Sequence, residues 1–118
     1  MKAMKMFRYL PASAAEAAVL LVLLFALAAP AQAEILPERQ TELLYFLKHD
    51  CGSCHGLTRK GGLGSPLLPA ALAKRSDAEL TEIIMDGVPD TPMPPWRELF
   101  SRQEAGWMVR AIKNGRWR

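Results

Sequence analysis

The chain has 118 residues, which is enough for one small domain and little else. Its formal net charge is +3, and nothing in that balance indicates a nucleic-acid-binding protein, which needs a concentrated basic face. There are only two cysteines, three positions apart. Any covalent staple of the domain must therefore lie at Cys51 and Cys54.

The first 33 residues have the three parts of a secretory signal. A basic segment is followed by a 13-residue apolar run at 17–29 and by a small-residue A-x-A site ahead of Glu34. An uncleaved membrane anchor is the alternative, but the apolar run is shorter than the roughly 18 to 20 residues that span a bilayer. We predict that residues 1–33 are a cleaved signal peptide and that residues 34–118 form the mature domain.

The predicted signal peptide contains three basic residues, Lys2, Lys5 and Arg8, and one acid, Glu16. The mature chain would therefore keep 12 basic and 11 acidic residues and have a net charge near +1. Its 85 residues give a poor ratio of core to surface. Domains of this size are often stabilised by a disulfide, a metal or a cofactor.

The first predicted helix begins at Pro37, because proline suits the opening helical position and Glu38 suits the positive end of the helix dipole. Its apolar residues have helical spacing: Leu43, Leu44, Phe46 and Leu47. We expect this helix to end near His49. The four glycines and two prolines of residues 56–69 predict a loop. Residues 70–75 are expected to contain a further helical turn.

Two capping boxes, Ser76–Glu79 and Ser101–Glu104, mark the starts of two more helices, and Gly87 and Gly115 mark their ends. The apolar residues of these helices are Leu80, Ile83 and Ile84 in the first and Ala105, Met108, Val109 and Ile112 in the second. Four prolines within residues 88–95 prevent regular structure between them. No segment alternates apolar and polar residues for long enough to form a strand. The sequence predicts an all-α domain of three to four helices with long loops.

The motif that carries chemistry is C-x-x-C-H, the pattern of covalent haem attachment. Cys51 and Cys54 would lie on one side of a helical turn, where both thiols can form thioethers with the porphyrin vinyl groups. His55 would place an imidazole nitrogen beneath the iron as the proximal ligand. Gly52 and Gly56 would let the turn run close to the ring.

Three other interpretations of the cysteines are weaker. A zinc site usually needs four nitrogen or sulfur ligands, and the chain offers only Cys51, Cys54, His55 and His49. A disulfide between cysteines three apart closes a very short loop and contributes little stability. A thioredoxin-like redox pair requires a βαβ context, which this sequence lacks.

The second axial ligand is predicted to be Met93. His49 belongs to the same side of the haem as His55, so we interpret it as a partly exposed residue at a helix end. Met85 and Met108 lie at apolar helix positions and are expected to fill the core. Met93 lies instead between prolines that could hold its thioether over the iron. With both axial positions filled, the iron would carry electrons, and we predict no bond-making catalysis.

The residues resemble the class I c-type cytochromes, and more closely the cytochrome c-55X (NirC) group associated with cytochrome cd1 nitrite reductase. Three segments carry this resemblance: Asp50–Leu57, Gly61–Gly64 and Thr91–Trp96. It implies one covalent haem c, attached at Cys51 and Cys54, with His55 and Met93 as axial ligands. It also implies the class I fold, with the terminal helices crossing beside the haem.

The resemblance further implies a periplasmic protein that carries single electrons in denitrification. Its redox partner would be the nitrite reductase, and no stable membrane insertion is expected after signal cleavage. The alternative function is to assist maturation of the d1 haem. In class I cytochromes a proline carbonyl after the motif usually accepts a hydrogen bond from the proximal histidine, and Pro66 would be the match.

Three further residues have an open role. Trp96 could pack near a haem propionate or simply within its loop. Arg59 and Lys60 could steer an acidic partner towards the haem edge, or they could be an ordinary solvated pair.

Overall fold

The computed structural model describes residues 34–117, so the predicted signal peptide (1–33) and Arg118 lie outside the described residues. Its elements in chain order are α1 (Pro37–Phe46), a π-helical turn (Leu47–Cys51), α2 (Gly52–His55), α3 (Pro69–Leu72), α4 (Asp77–Asp86) and α5 (Arg102–Lys113). Within residues 34–117 there is no strand, which confirms the all-α prediction. In this same range, no helix has both the length and the apolar character needed to cross a bilayer.

Helix α1 begins at Pro37, as predicted, but the helical segment does not end near His49. It continues through the π-helical turn and α2 to His55. No glycine or proline interrupts the chain between Glu38 and Cys51, so nothing local stops the helix. The exposed side chain of His49 stacks on Tyr45, with 4.2 Å between the ring centroids. His49 is therefore an exposed residue inside a helical segment rather than at its end.

Helices α4 and α5 begin at the predicted caps. The hydroxyl of Ser101 accepts a hydrogen bond from the Glu104 N–H, and the Glu104 carboxylate accepts one from the Ser101 N–H, which completes a capping box. The Ser76 hydroxyl likewise accepts from the Glu79 N–H. The carboxylate of Glu79, however, binds Arg75 at 2.6 Å instead of turning back to the cap.

Helix α5 packs against both α4 and α1. A methyl group added at Gly106 would lie only 3.6 Å from Thr81 Oγ1, so the backbones of α4 and α5 approach closely there. Between α1 and α5, Arg39 Nε donates to Glu104 Oε1 at 2.5 Å. The buried apolar cluster of the domain comprises Leu43, Leu47, Leu72, Phe100, Met108, Ala111, Ile112 and Trp117.

The loop after α2 folds back onto the helix that precedes it. The N–H groups of Gly61 and Gly64 donate to the carbonyls of His55 and Cys54, at 2.9 and 2.8 Å. At Gly56 the backbone φ is +82°, and a Cβ there would lie 2.6 Å from the Gly61 carbonyl oxygen. Gly56 is thus required for contact between two backbone segments. Its role in letting the turn run close to a ring stays a prediction.

Candidate functional site

A cavity of about 400 Å³ lies between α2, α4, α5 and the two long loops. Its volume is within the range of small-molecule and cofactor sites. Most of the lining is apolar, with major contributions from Leu47, Leu67, Leu72, Leu80, Ile83, Ile84, Phe100, Met108, Val109 and Ile112. The four residues singled out in the sequence also border it: Cys51, Cys54, His55 and Met93.

His55 is oriented by the backbone of the loop that follows it. Its Nδ1 lies 2.6 Å from the carbonyl oxygen of Ser65, and because a carbonyl oxygen only accepts, Nδ1 is the donor in this hydrogen bond. The prediction that the Pro66 carbonyl is the partner was therefore wrong, because the acceptor belongs to the preceding residue, Ser65. Because Nδ1 is engaged, the opposite nitrogen of the ring remains available as a ligand.

Gly64 makes room for this imidazole. A Cβ at position 64 would lie 2.7 Å from Cε1 and Nδ1 of His55, closer than real Cβ atoms come to other atoms. The loop can supply the Ser65 carbonyl only because the preceding residue has no side chain. Neither Gly64 nor Ser65 was assigned this role from the sequence, since both act through the backbone and through the absence of a side chain.

The two thiols are free and differ in environment. Burial, together with the negative charge of the nearby Asp50 carboxylate, raises the pKa of Cys51 to about 12. Cys54 is half-buried, and its sulfur weakly accepts from the Ser53 hydroxyl at 3.8 Å. Both sulfurs belong to residues that line the cavity, so one bound group can reach both.

Met93 is held at the cavity by a tight backbone arrangement after α4. The Val88 N–H donates to the Met93 carbonyl at 3.1 Å, and the Met93 N–H donates to the Thr91 hydroxyl at 3.3 Å. Gly87 packs under this loop, where an added Cβ would lie 2.6 Å from the Met93 carbonyl oxygen. Met85, in contrast, is buried away from the cavity, as expected for a core residue.

Met108 and Trp96 also border the cavity. Met108 is 1% exposed and belongs to the buried cluster, which agrees with its predicted role as core filling. The Trp96 ring packs edge-on against Phe46, with centroids 5.2 Å apart, and also lies close to Phe100. Trp96 thus joins the Met93 loop to the helix that leads to Cys51.

Arg59 is not the solvated residue that the sequence allowed. Its φ is +63°, its guanidinium lies 5.8 Å from the centroid of the Trp117 ring, and its Nε and Nη1 are buried. Trp117 in turn donates from Nε1 to the Leu57 carbonyl at 2.9 Å. Arg59 therefore helps to fasten the loop after α2 to the end of the chain, whereas Lys60 is exposed.

The alternative sites are not supported by the geometry. Within residues 34–117, no group of three or more histidine, cysteine, aspartate or glutamate side chains is gathered as a metal site would require. The thioredoxin-like alternative needs a sheet, and the described part of the chain is helical. An apolar cavity bordered by two thiols, an imidazole and a thioether instead fits a haem.

Comparisons with known proteins agree with this geometry. Residues 38–110 match the family described as "Cytochrome C oxidase, cbb3-type, subunit III". Cytochrome c55X of Paracoccus denitrificans is 48% identical over 97 residues, which cover 80% of this chain and 90% of that protein. The solved structure of the c-type cytochrome NirC superposes with a TM-score of 0.67 at 44% identity, covering 69% of this chain and 95% of that one.

A weaker likeness links the chain to a larger protein. The dihydro-heme d1 dehydrogenase of Pseudomonas aeruginosa is 41% identical over 56 residues, which cover 48% of this chain but only 11% of that enzyme. The shared part is thus a small segment of the enzyme.

Fold, cavity and motif together define a c-type cytochrome of class I, and the chain carries covalently attached haem c. Members of this class of cytochromes are electron carriers. Within this class, the chain belongs to the cytochrome c55X family.

Proposed function

We propose that this chain is a periplasmic carrier of single electrons, with haem attached to Cys51 and Cys54 and ligated by His55 and Met93. The observation that carries this proposal is that all four side chains border one apolar cavity, although Met93 lies 38 positions beyond the histidine. When bound, haem c supplies an iron that changes between ferrous and ferric states. A haem iron held by both His55 and Met93 would have no position left for a substrate.

The attachment of haem to Cys51 and Cys54 has a direct test in single and double cysteine variants. Each of Cys51→Ala and Cys54→Ala should keep haem through one thioether, and the double variant should lose covalent haem altogether. Intact mass after co-expression with the c-haem maturation machinery measures this. A double variant that still carried covalent haem would contradict the attachment sites.

The proposed electron acceptor is cytochrome cd1 nitrite reductase, which would place the protein in denitrification. Support comes from membership of the cytochrome c55X family, with a relative from Paracoccus denitrificans. If the proposal is right, reduced protein mixed with nitrite reductase and nitrite reoxidises within the turnover time of the enzyme. The control omits the enzyme. Reoxidation no faster than in that control would contradict a donor role.

A second function is assistance in maturation of the d1 haem, and a specific observation favours it. The chain resembles a segment of a protein named dihydro-heme d1 dehydrogenase. For this function, the haem-loaded protein should retain d1 haem through size-exclusion chromatography, visible as a second tetrapyrrole spectrum in the protein peak. A donor without a maturation role would elute with haem c alone.

Export follows from the leader predicted in residues 1–33. We expect protein from the periplasmic fraction to have a mass that corresponds to haem plus residues 34–118. A membrane-bound product that retained the leader would instead identify the apolar run as an anchor.

A further inference from the structure

Arg59 combines two unfavourable features at one position. Its backbone φ of +63° is a left-handed conformation, which is unfavourable for a residue with a side chain. Its Nε and Nη1 atoms are buried, and no acceptor for them lies within residues 34–117. Burying polar atoms without a hydrogen-bond partner also costs free energy. Such a residue persists only where the surrounding structure holds it in place, so its contacts indicate its role.

The backbone of Arg59 connects the two arms of the loop that follows α2. Its N–H donates to the Gly56 carbonyl at 2.8 Å, and its carbonyl accepts from the Leu67 N–H at 2.9 Å. Gly56 directly follows His55, and Leu67 comes two residues after Ser65. The arm that carries the Ser65 carbonyl is therefore aligned with the start of the loop through Arg59.

The guanidinium of Arg59 fastens this loop to the core. Its central carbon lies 5.8 Å from the centroid of the Trp117 ring, a distance at which a cation is attracted to the face of an aromatic ring. Trp117 is 6% exposed and belongs to the buried apolar cluster. Because little water reaches this ring, the attraction is stronger than it would be at the protein surface.

Trp117 supports α2 as well as the loop. A Cβ added at Gly52, the first residue of α2, would lie 3.5 Å from the Trp117 ring and 3.2 Å from the Leu57 side chain. The indole Nε1 of Trp117 donates to the Leu57 carbonyl at 2.9 Å. The helix that carries His55 and the loop that carries the Ser65 carbonyl thus rest on one tryptophan.

We infer that Arg59 is a positioning residue for His55, because its contact with Trp117 keeps the Ser65 carbonyl at 2.6 Å from the His55 Nδ1. The inference rests on the proposed ligation of haem iron by His55. Arg59 does not line the cavity, so it acts through the loop and not by contact with haem. A hydrogen bond donated from Nδ1 raises the basicity of the imidazole, and a more basic ligand stabilises ferric iron.

The first measurement is the exchange of the His55 Nδ1 proton with solvent. It is followed by NMR of the reduced, haem-loaded protein that contains isotope-labelled histidine. Arg59→Gln should accelerate this exchange by about tenfold or more, the effect of losing a desolvated contact between a cation and an aromatic ring. Arg59→Lys keeps a cation for the ring and should restore most of the protection. Lys60→Gln removes the same charge from an exposed neighbour and should leave the exchange unchanged.

The second measurement is the midpoint potential, which a loss of stability alone would not change. In Arg59→Gln the less basic imidazole favours ferrous iron, so the potential should rise. Removal of a positive charge by itself would lower the potential, because it stabilises ferric iron. The sign of the change therefore separates positioning from charge.

A wild-type rate of His55 proton exchange in Arg59→Gln would overturn the inference. A potential that falls in Arg59→Gln as it does in Lys60→Gln would also overturn it. If Arg59→Gln does not fold, Arg59→Gly removes the same cation without cost at positive φ and should give the same two results.

Failure of the proposed ligation would be seen in the wild-type protein. The ring protons of an imidazole bound to haem iron lie over the porphyrin, whose ring current shifts their NMR signals strongly upfield. A haem-loaded wild-type protein without this shift at His55 would contradict the ligation. A wild-type protein with the shift, and variants that equal it in exchange and potential, would contradict only the role of Arg59.

Discussion

The carbonyl oxygen of Ser65 lies 2.6 Å from Nδ1 of His55, so the group that orients this imidazole belongs to the backbone. A backbone partner is insensitive to the side chain that carries it, but it depends on the path of the chain. That path requires Gly64, whose missing Cβ leaves room for the imidazole ring.

Gly64→Ala should weaken the bond between His55 and the iron. The added methyl group must displace the ring or the Ser65 carbonyl, and loss of such a supporting hydrogen bond typically costs about 10- to 100-fold in metal affinity. Acid should then displace the imidazole at a pH about one unit higher for each tenfold loss. The visible spectrum during acid titration measures this. Ser65→Ala keeps the carbonyl and is the control; an equal effect of both variants would contradict a backbone role.

Met93→Ala should lower the midpoint potential. Thioether sulfur favours ferrous iron, so its removal shifts the equilibrium towards the ferric state. A tenfold change in that preference corresponds to about 59 mV, and we expect a larger fall than this. Met85→Leu, in the core but outside the cavity lining, is the matched control. An unchanged potential in Met93→Ala would remove this residue from the iron.

Gly87→Ala, at the Met93 loop, should lower the free energy of unfolding far more than Gly115→Ala, at the end of α5. Both glycines have positive φ, but at Gly87 the backbone (φ 69°, ψ −167°) is in a region that only glycine occupies readily, and the Cβ would strike Met93 and Pro94. At Gly115 nothing lies within 4 Å of an added Cβ.

For Gly115→Ala we expect a loss of about 1 kcal/mol in the free energy of unfolding, and for Gly87→Ala about 3 kcal/mol or more. Urea unfolding of the haem-loaded protein, followed by far-ultraviolet circular dichroism, provides both values. Similar losses in the two variants would show that a positive φ alone sets the cost, with no contribution from the clash at Gly87.

Glu104 should make stability depend on pH. Burial opposes its ionisation, but hydrogen bonds from Arg39 and from Ser101 outweigh burial and hold the pKa of Glu104 below its usual value. A lowered pKa stabilises the fold above the unfolded-state pKa, and this contribution disappears as pH falls through the folded-state pKa.

Glu104→Gln should therefore cost roughly 1 kcal/mol at pH 7, through the lost ion pair with Arg39 and the lost charge at the cap, because glutamine can still accept the cap hydrogen bond. This cost should disappear as pH falls below the usual glutamate pKa and through the lowered pKa of Glu104. Thermal unfolding from pH 7 to pH 3 measures the difference. Glu42→Gln is the control, since Glu42 also binds Arg39 but is mostly exposed. If the difference in unfolding temperature between Glu104→Gln and wild type stayed constant with pH, the lowered pKa of Glu104 would be contradicted.

Local sequence signals predicted most of the fold. Pro37 at the start of α1 and the serine caps at positions 76 and 101 are signals that act within one helical turn, and the structure confirms all three starts. The C-x-x-C-H motif is equally local. The ligand role of Met93 stays a prediction, supported by its place in the shared cavity.

What the sequence could not supply depends on distant contacts. The hydrogen bond to His55 comes from Ser65 rather than Pro66 because the loop returns to α2 in a register that only the folded backbone defines. Arg75 reaches the cavity through the packing of α3 and α4 on α5. Arg59 has a positive φ and contacts Trp117, and no residue next to Arg59 in the sequence predicts either feature.

The π-helical turn at Leu47–Cys51 sets the angular phase between the core helix and the thiols. An α-helix rotates about 100° per residue. If the same residues formed an uninterrupted α-helix, Leu43 could still face inwards, but Cys51 would be rotated by most of one residue's turn, away from the cavity. A chain that lost the π-helical turn in this way could retain its helical content and lose its pigment, so helicity and haem attachment are separable by a single residue of register.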